Sequence, residues 1–103
     1  MSRFDELKAK VLSLPYEAGV YIMKNKAGEV IYVGKAKALK NRVSQYFGSD
    51  TRHSPKTTVM VSNIWDFEII VTESEFEALV LENAMIKKYK PKSSNAKRAK
   101  AKI

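Results

Sequence analysis

The stretch GVYIMKNKAGEVIYVG, residues 19–34, constrains the fold more than any other part of the chain. Two runs rich in β-branched and aromatic residues, 19–24 and 30–34, flank Asn25-Lys26-Ala27-Gly28-Glu29. A short polar gap with a glycine between two such runs predicts an antiparallel β-hairpin. A lone hairpin is at best marginally stable in water, so the rest of the chain must cover it.

The covering elements are legible from spacing and caps. Phe4, Leu7, Val11 and Leu14 recur at helical intervals over residues 4–14, and Pro15 closes the segment. Residues 36–47 predict a helix with Leu39, Val43 and Phe47 on one face and Gly48 as its stop. A polar loop follows, then a short helix over 57–63. Residues 64–72 predict a third strand, with Ile69-Ile70-Val71 as its buried part. Ser74 and Glu77 form a capping box for a last helix that runs to about Lys88, with Pro91 just beyond. The order is α-β-β-α-α-β-α. The expected class is α+β, a small three-stranded mixed or antiparallel sheet flanked by helices. The 103 residues suit one domain over 1–92, followed by a basic, mobile tail over 93–103.

Charge is distributed unevenly. The net charge of +8 resides in residues 87–103, which hold eight basic side chains and no acidic one. Residues 35–58 hold six basic side chains against Asp50 alone, and residues 59–86 hold six acids and no base. A basic stretch suits a polyanion; an acidic stretch beside it suits one only if an acid has a task. The plain alternative is a solvated acidic helix face and a solubilising tail. No cysteine is present, which excludes disulfides and thiolate metal sites. No apolar run reaches membrane-spanning length, and residues 1–14 lack the regions of a signal peptide, so a cytoplasmic protein is expected.

The candidate chemistry lies near the hairpin. Tyr21 and Tyr32 fall near the middle of paired strands and are expected to be cross-strand neighbours, though tyrosines also pack in strands for no other purpose. Gly34-Lys35-Ala36-Lys37, a strand end leading into a helix start, suits phosphate, but it lacks P-loop spacing. Arg42 and Tyr46 are four apart on one helix side. Arg42 lies at the edge of the buried stripe, where it either reaches a cleft or covers apolar surface. On the last helix, Leu79 centres the expected apolar face with Phe76, Val80 and Ile86; Asn83 falls inside it and Glu82 on its border. A carboxylate there needs a partner: Arg42, Lys35 or a metal ion. Glu75 shares that edge as a surface acid. His53, the sole histidine, falls in a polar loop and carries little weight. Too few ligands are present for zinc.

The Gly-Val-Tyr strand, the Tyr-Val-Gly strand, the helix arginine and the later glutamate together resemble the GIY-YIG nuclease family. The matching text is LPYEAGVYIMKNKAGEVIYVGKAKALKNRVSQYF, then KTTVMV, then ESEFEALVLENAMIKKYKPK, covering about residues 14–92. Within that family the wording is most similar to the UvrC branch, the N-terminal catalytic domain of bacterial nucleotide excision repair. The resemblance implies that Tyr21 and Tyr32 hold or activate the attacking water, and that Lys35 and Arg42 bind the scissile phosphate. It also implies that Tyr46 supports the site and that Glu82 holds one Mg²⁺ or Mn²⁺ ion. Lys37, Lys40 and Lys56 are expected to join Lys35 and Arg42 along the DNA. Nearby cationic groups are expected to favour a phenolate. Where the family continues Tyr-Asn after KPK, this chain has Ser93-Ser94, with Asn95 one position late. UvrB-contacting, second-nuclease and helix-hairpin-helix segments do not fit in this length, so an excised domain or a stand-alone relative is implied.

The expected function is thus a metal-dependent DNA endonuclease, monomeric, with a repair partner such as UvrB reached through segments absent here. A non-catalytic nucleic-acid-binding module that keeps the fold is the alternative. A basic RNA- or ribosome-associated protein has only charge in its favour.

Overall fold

A computed structural model describes residues 2–48 and 53–91. Along the chain run α1 (Arg3–Val11), β1 (Gly19–Lys24), β2 (Val30–Ala36), α2 (Leu39–Phe47), α3 (Pro55–Ser62), β3 (Asp66–Val71) and α4 (Glu75–Tyr89). The expected order is therefore found. The tail over 93–103, with Ser93, Ser94 and Asn95, lies outside the described residues, as does Asp50. No described helix is long and apolar enough to cross a membrane.

The sheet has the order β2-β1-β3, and both pairings are antiparallel, so the mixed option falls away. Gly28, at φ +84°, provides the left-handed turn residue of the hairpin. The sheet has one helix-covered side made by α1, α2 and α3, where Leu7, Val11, Leu39, Val43, Phe47 and Met60 pack with Tyr21, Met23 and Phe67. On its other side α4 packs Ala78 and Ile86 on Val20, Ile22 and Val33.

Caps set the helix starts. Ser74 Oγ accepts from the Glu77 N–H at 3.1 Å, while Glu77 Oε1 accepts from Glu73 N–H at 3.3 Å, one residue before the position that a capping box predicts. Ser54 caps α3 in the same way, and Pro55 takes its first position, so α3 starts two residues earlier than expected. Helix α1 ends at Val11 rather than Leu14, and α2 begins at Leu39 rather than Ala36 because β2 continues to Ala36.

Two expectations of burial are overturned. In β3, Ile70 and Val71 are exposed, at 37% and 44%, and Phe67 is the fully buried residue. The cause is topological: β3 is an edge strand, and α4 packs over β1 and β2 instead. In α4 the buried residues are Ala78, Glu82 and Ile86, not a face centred on Leu79. Phe76, Leu79, Val80 and Asn83 are exposed, and Glu82 moves from the border of the face to its centre. Apolar residues lie almost all round this helix, so the stripe alone does not say which face turns inward. Phe76→Ala is therefore expected to change stability by less than ~0.5 kcal/mol, and Ala78→Leu to cost about 1–3 kcal/mol by overpacking. Urea unfolding midpoints check both.

Candidate active site

The hairpin register builds the site. Tyr21 lies opposite Gly34, and Met23 opposite Tyr32. The two tyrosines are thus diagonal neighbours on one face, with rings stacked at 5.9 Å and 27°. Gly34 is needed for this: a Cβ there would lie 2.9 Å from Tyr21 Cε2 and closer still to Cζ and the hydroxyl. Helix α2 adds Tyr46, whose ring lies 5.7 Å from Tyr21 and 6.2 Å from Tyr32. The hydroxyls of Tyr21 and Tyr46 share a hydrogen bond of 2.8 Å.

The electrostatics oppose the expected phenolate. Burial pushes Tyr21 well above the ordinary tyrosine range, with Tyr32 and Tyr46 adding to it. Burial, then Tyr46, pushes Tyr32 from 10.0 to about 12. The cationic group that counters this is Arg42, which lowers both tyrosines, but by less than burial raises them. Desolvation wins because Tyr21 is 0% exposed. Both groups hold their protons more tightly folded than unfolded. Their contribution to stability is therefore complete below pH ~10 and is lost as the pH rises from there toward 12. Tyr21→Phe is expected to flatten the alkaline fall in stability over that window, as followed by urea unfolding at stepped pH.

Arg42 also lines an open cleft of about 420 Å³ with Lys35, Lys37, Asn41, Gln45 and Glu75, floored by Ala36, Ala38 and Ala78. Glu75 thus faces a cationic cleft instead of plain solvent. Lys40 does not line the cleft; its ammonium lies 5.0 Å above the Tyr16 ring. Lys56 lies exposed on α3 and likewise stays outside. The start of α2 is a poorer phosphate site than its lysines suggest. The N–H groups of Leu39 and Lys40 already donate to the carbonyls of Glu17 and Pro15, each at 2.9 Å.

Glu82 completes the constellation from the opposite side of the sheet. It is 5% exposed, and its Oε2 accepts from the main-chain N–H of Lys35 at 2.9 Å. This contact exists because β2 is an edge strand, with no strand beyond it on that side. The sequence left Arg42, Lys35 or a metal ion as its partner; the hydrogen bond found comes from the Lys35 main chain. Among the described residues no group of three or more His, Cys, Asp or Glu could hold a metal. A single buried carboxylate suits a hard ion that keeps most of its waters, as Mg²⁺ does.

One residue was underweighted in the sequence. His53 stacks on Tyr46 at 6.1 Å and 16°. No periodicity or motif places a loop side chain, so only the fold could show it.

The chain matches the model of the UvrC-like GIY-YIG domain over residues 17–94. It is 60% identical over 87 residues to UvrABC system protein C of Clostridium beijerinckii, and 58% identical over 87 residues to that of Clostridium botulinum. Each match covers 84% of this chain and 14% of the relative, so the chain spans about one seventh of the length of these relatives. Among solved structures it is similar to the GIY-YIG N-terminal endonuclease domain of UvrC from Thermotoga maritima bound to its catalytic magnesium. That match has a TM-score of 0.76 at 41% identity, covering 90% of this chain and 98% of the other. A tyrosine-to-phenylalanine point mutant of the same Thermotoga domain, with its divalent cation, gives a TM-score of 0.77 at 40% identity, covering 90% and 97%.

Proposed function

This chain belongs to the family of UvrC-like GIY-YIG domains, and we propose that it is a divalent-metal-dependent endonuclease that hydrolyses a phosphodiester bond in DNA, as in the 3′ incision of nucleotide excision repair. One observation carries the reading. Around the free edge of β2, three tyrosines and Arg42 meet from one side, and Glu82 from the other, joined through the Lys35 main chain.

Each group has a role that its surroundings support. Glu82 would hold Mg²⁺, or Mn²⁺ in its place; when bound, such an ion polarises phosphate oxygens and stabilises the leaving oxygen. Arg42 and Lys35, on the cleft wall, bind the scissile phosphate and meet the charge that spreads over it in the transition state. Tyr21 is too buried to touch water; its hydroxyl orients Tyr46 and Arg42. Tyr32 is half-buried, so it is the tyrosine that meets the attacking water; burial keeps its own proton on, so its hydroxyl holds and orients that water. Lys37 extends the phosphate track within the cleft, and Lys40 and Lys56 extend it outside. Residues 1–92 form the nuclease domain and residues 93–103 a basic tail that adds affinity through counterion release. The setting is cytoplasmic and the domain monomeric, with a UvrB-like repair partner reached through segments that these 103 residues do not include.

The test is nicking of supercoiled plasmid by the purified chain with Mg²⁺, with Mn²⁺ and with EDTA. Conversion to open circles that EDTA stops is the expected result. DNA binding without nicking, also on a damaged substrate supplied with the repair partner, would leave a non-catalytic binding module.

A further inference from the structure

The segment that leads into α3 brings His53 onto the tyrosine cluster. Tyr46 is held on its inner side by Tyr21 and Tyr32, at 5.7 and 6.2 Å. The His53 imidazole lies nearly parallel to the Tyr46 ring, at 16° and 6.1 Å. Immediately after His53 the chain is fixed: Ser54 Oγ accepts from the Thr57 N–H at 3.2 Å, and Pro55 begins the helix. The imidazole is thus presented from a rigid helix start.

We propose that His53 is a positioning residue for incision: its imidazole stacks on Tyr46 and fixes the ring whose hydroxyl holds Tyr21, and through Tyr21 the Arg42 guanidinium that meets the scissile phosphate. This rests on the endonuclease reading. A half-buried tyrosine changes rotamer about its Cα–Cβ bond unless neighbours hold the ring, and that change carries the hydroxyl with it. Such a change at Tyr46 breaks its 2.8 Å bond to the Tyr21 hydroxyl. That hydroxyl also interacts electrostatically with the Arg42 guanidinium. The series His53–Tyr46–Tyr21 therefore runs by a ring stack and a hydrogen bond from a loop to the group whose charge environment Arg42 shares. Nothing in it asks the imidazole to transfer a proton, so a flat apolar ring should serve.

The experiment compares His53→Ala and His53→Phe in the full chain, with nicking kinetics in Mg²⁺. His53→Ala is expected to lower kcat roughly 10-fold with KM within about twofold, and His53→Phe to return kcat to within about threefold of the wild type. Wild-type turnover by His53→Ala overturns the proposal. So does a His53→Phe protein no better than His53→Ala, which would place the function in the imidazole nitrogens. A raised KM with unchanged kcat would make His53 a DNA contact instead, and also overturns it. A second readout needs no activity: the His53 ring-proton resonances in the metal-free protein should be shifted upfield and should lose that shift in Tyr46→Leu. Resonances at random-coil positions would remove the stack. A wild type that fails to nick, also on a damaged substrate supplied with the repair partner, while its His53 resonances are shifted refutes the endonuclease reading; a shifted resonance with an unimpaired His53→Ala refutes this proposal alone.

Discussion

Glu82→Gln abolishes metal-dependent nicking, a loss on the order of 10³-fold or more, while the protein stays folded. The glutamine keeps the length of the side chain and an oxygen for the Lys35 N–H, which the glutamate accepts at 2.9 Å. What it removes is the negative charge. At 5% exposure the side chain is boxed in, and a replacement of the same shape that keeps the Lys35 N–H partner is expected to stay folded. Lost activity in a folded protein is the signature of a carboxylate kept for binding a cation. Plasmid nicking in Mg²⁺ beside thermal unfolding by circular dichroism reads both. Full nicking by a folded Glu82→Gln protein would sink the metal-ligand assignment, and a collapsed fold would show that Glu82 is structural.

Gly34→Ala lowers stability by about 2–3 kcal/mol and takes nicking with it. The added Cβ lands on the Tyr21 ring, 2.9 Å from Cε2 and nearer to Cζ and the hydroxyl. Tyr21 has nowhere to go, because it is 0% exposed and sits between Tyr32 and Tyr46. The relief must come from the strands: β2 moves off β1, or the ring tilts and loses its bond to Tyr46. Gly28→Ala is the contrast. It meets nothing within 4 Å, and its penalty comes only from φ +84°, about 1 kcal/mol. Urea midpoints of the two variants should therefore differ, with the near-ultraviolet tyrosine signal changed only in Gly34→Ala. Equal midpoints would mean that the Tyr21 ring does not lie over Gly34.

The legible part of this protein was the local part. Strand alternation and a five-residue polar gap marked the hairpin, Ser74 and Glu77 marked the start of α4, and Leu39, Val43 and Phe47 marked the buried face of α2. These signals act within one element or across one turn, so they survive in the sequence. The inward face of α4 was less legible. Phe76, Leu79 and Val80 are as apolar as anything in that helix, yet they face out, while a glutamate faces in. That choice depends on which residues the free edge of β2 offers to a partner, and here it offers a backbone N–H.

The same division runs through the chemistry. Residue order alone determined an α+β chain with a tyrosine hairpin, a lysine-rich helix start and a later acidic helix. Only the tertiary structure decided that Tyr21 is sealed and Tyr32 is not, that burial outweighs Arg42 in setting their protonation, and that His53 reaches Tyr46. Desolvation and stacking depend on everything that surrounds a group, and those surroundings are assembled from elements far apart in the chain.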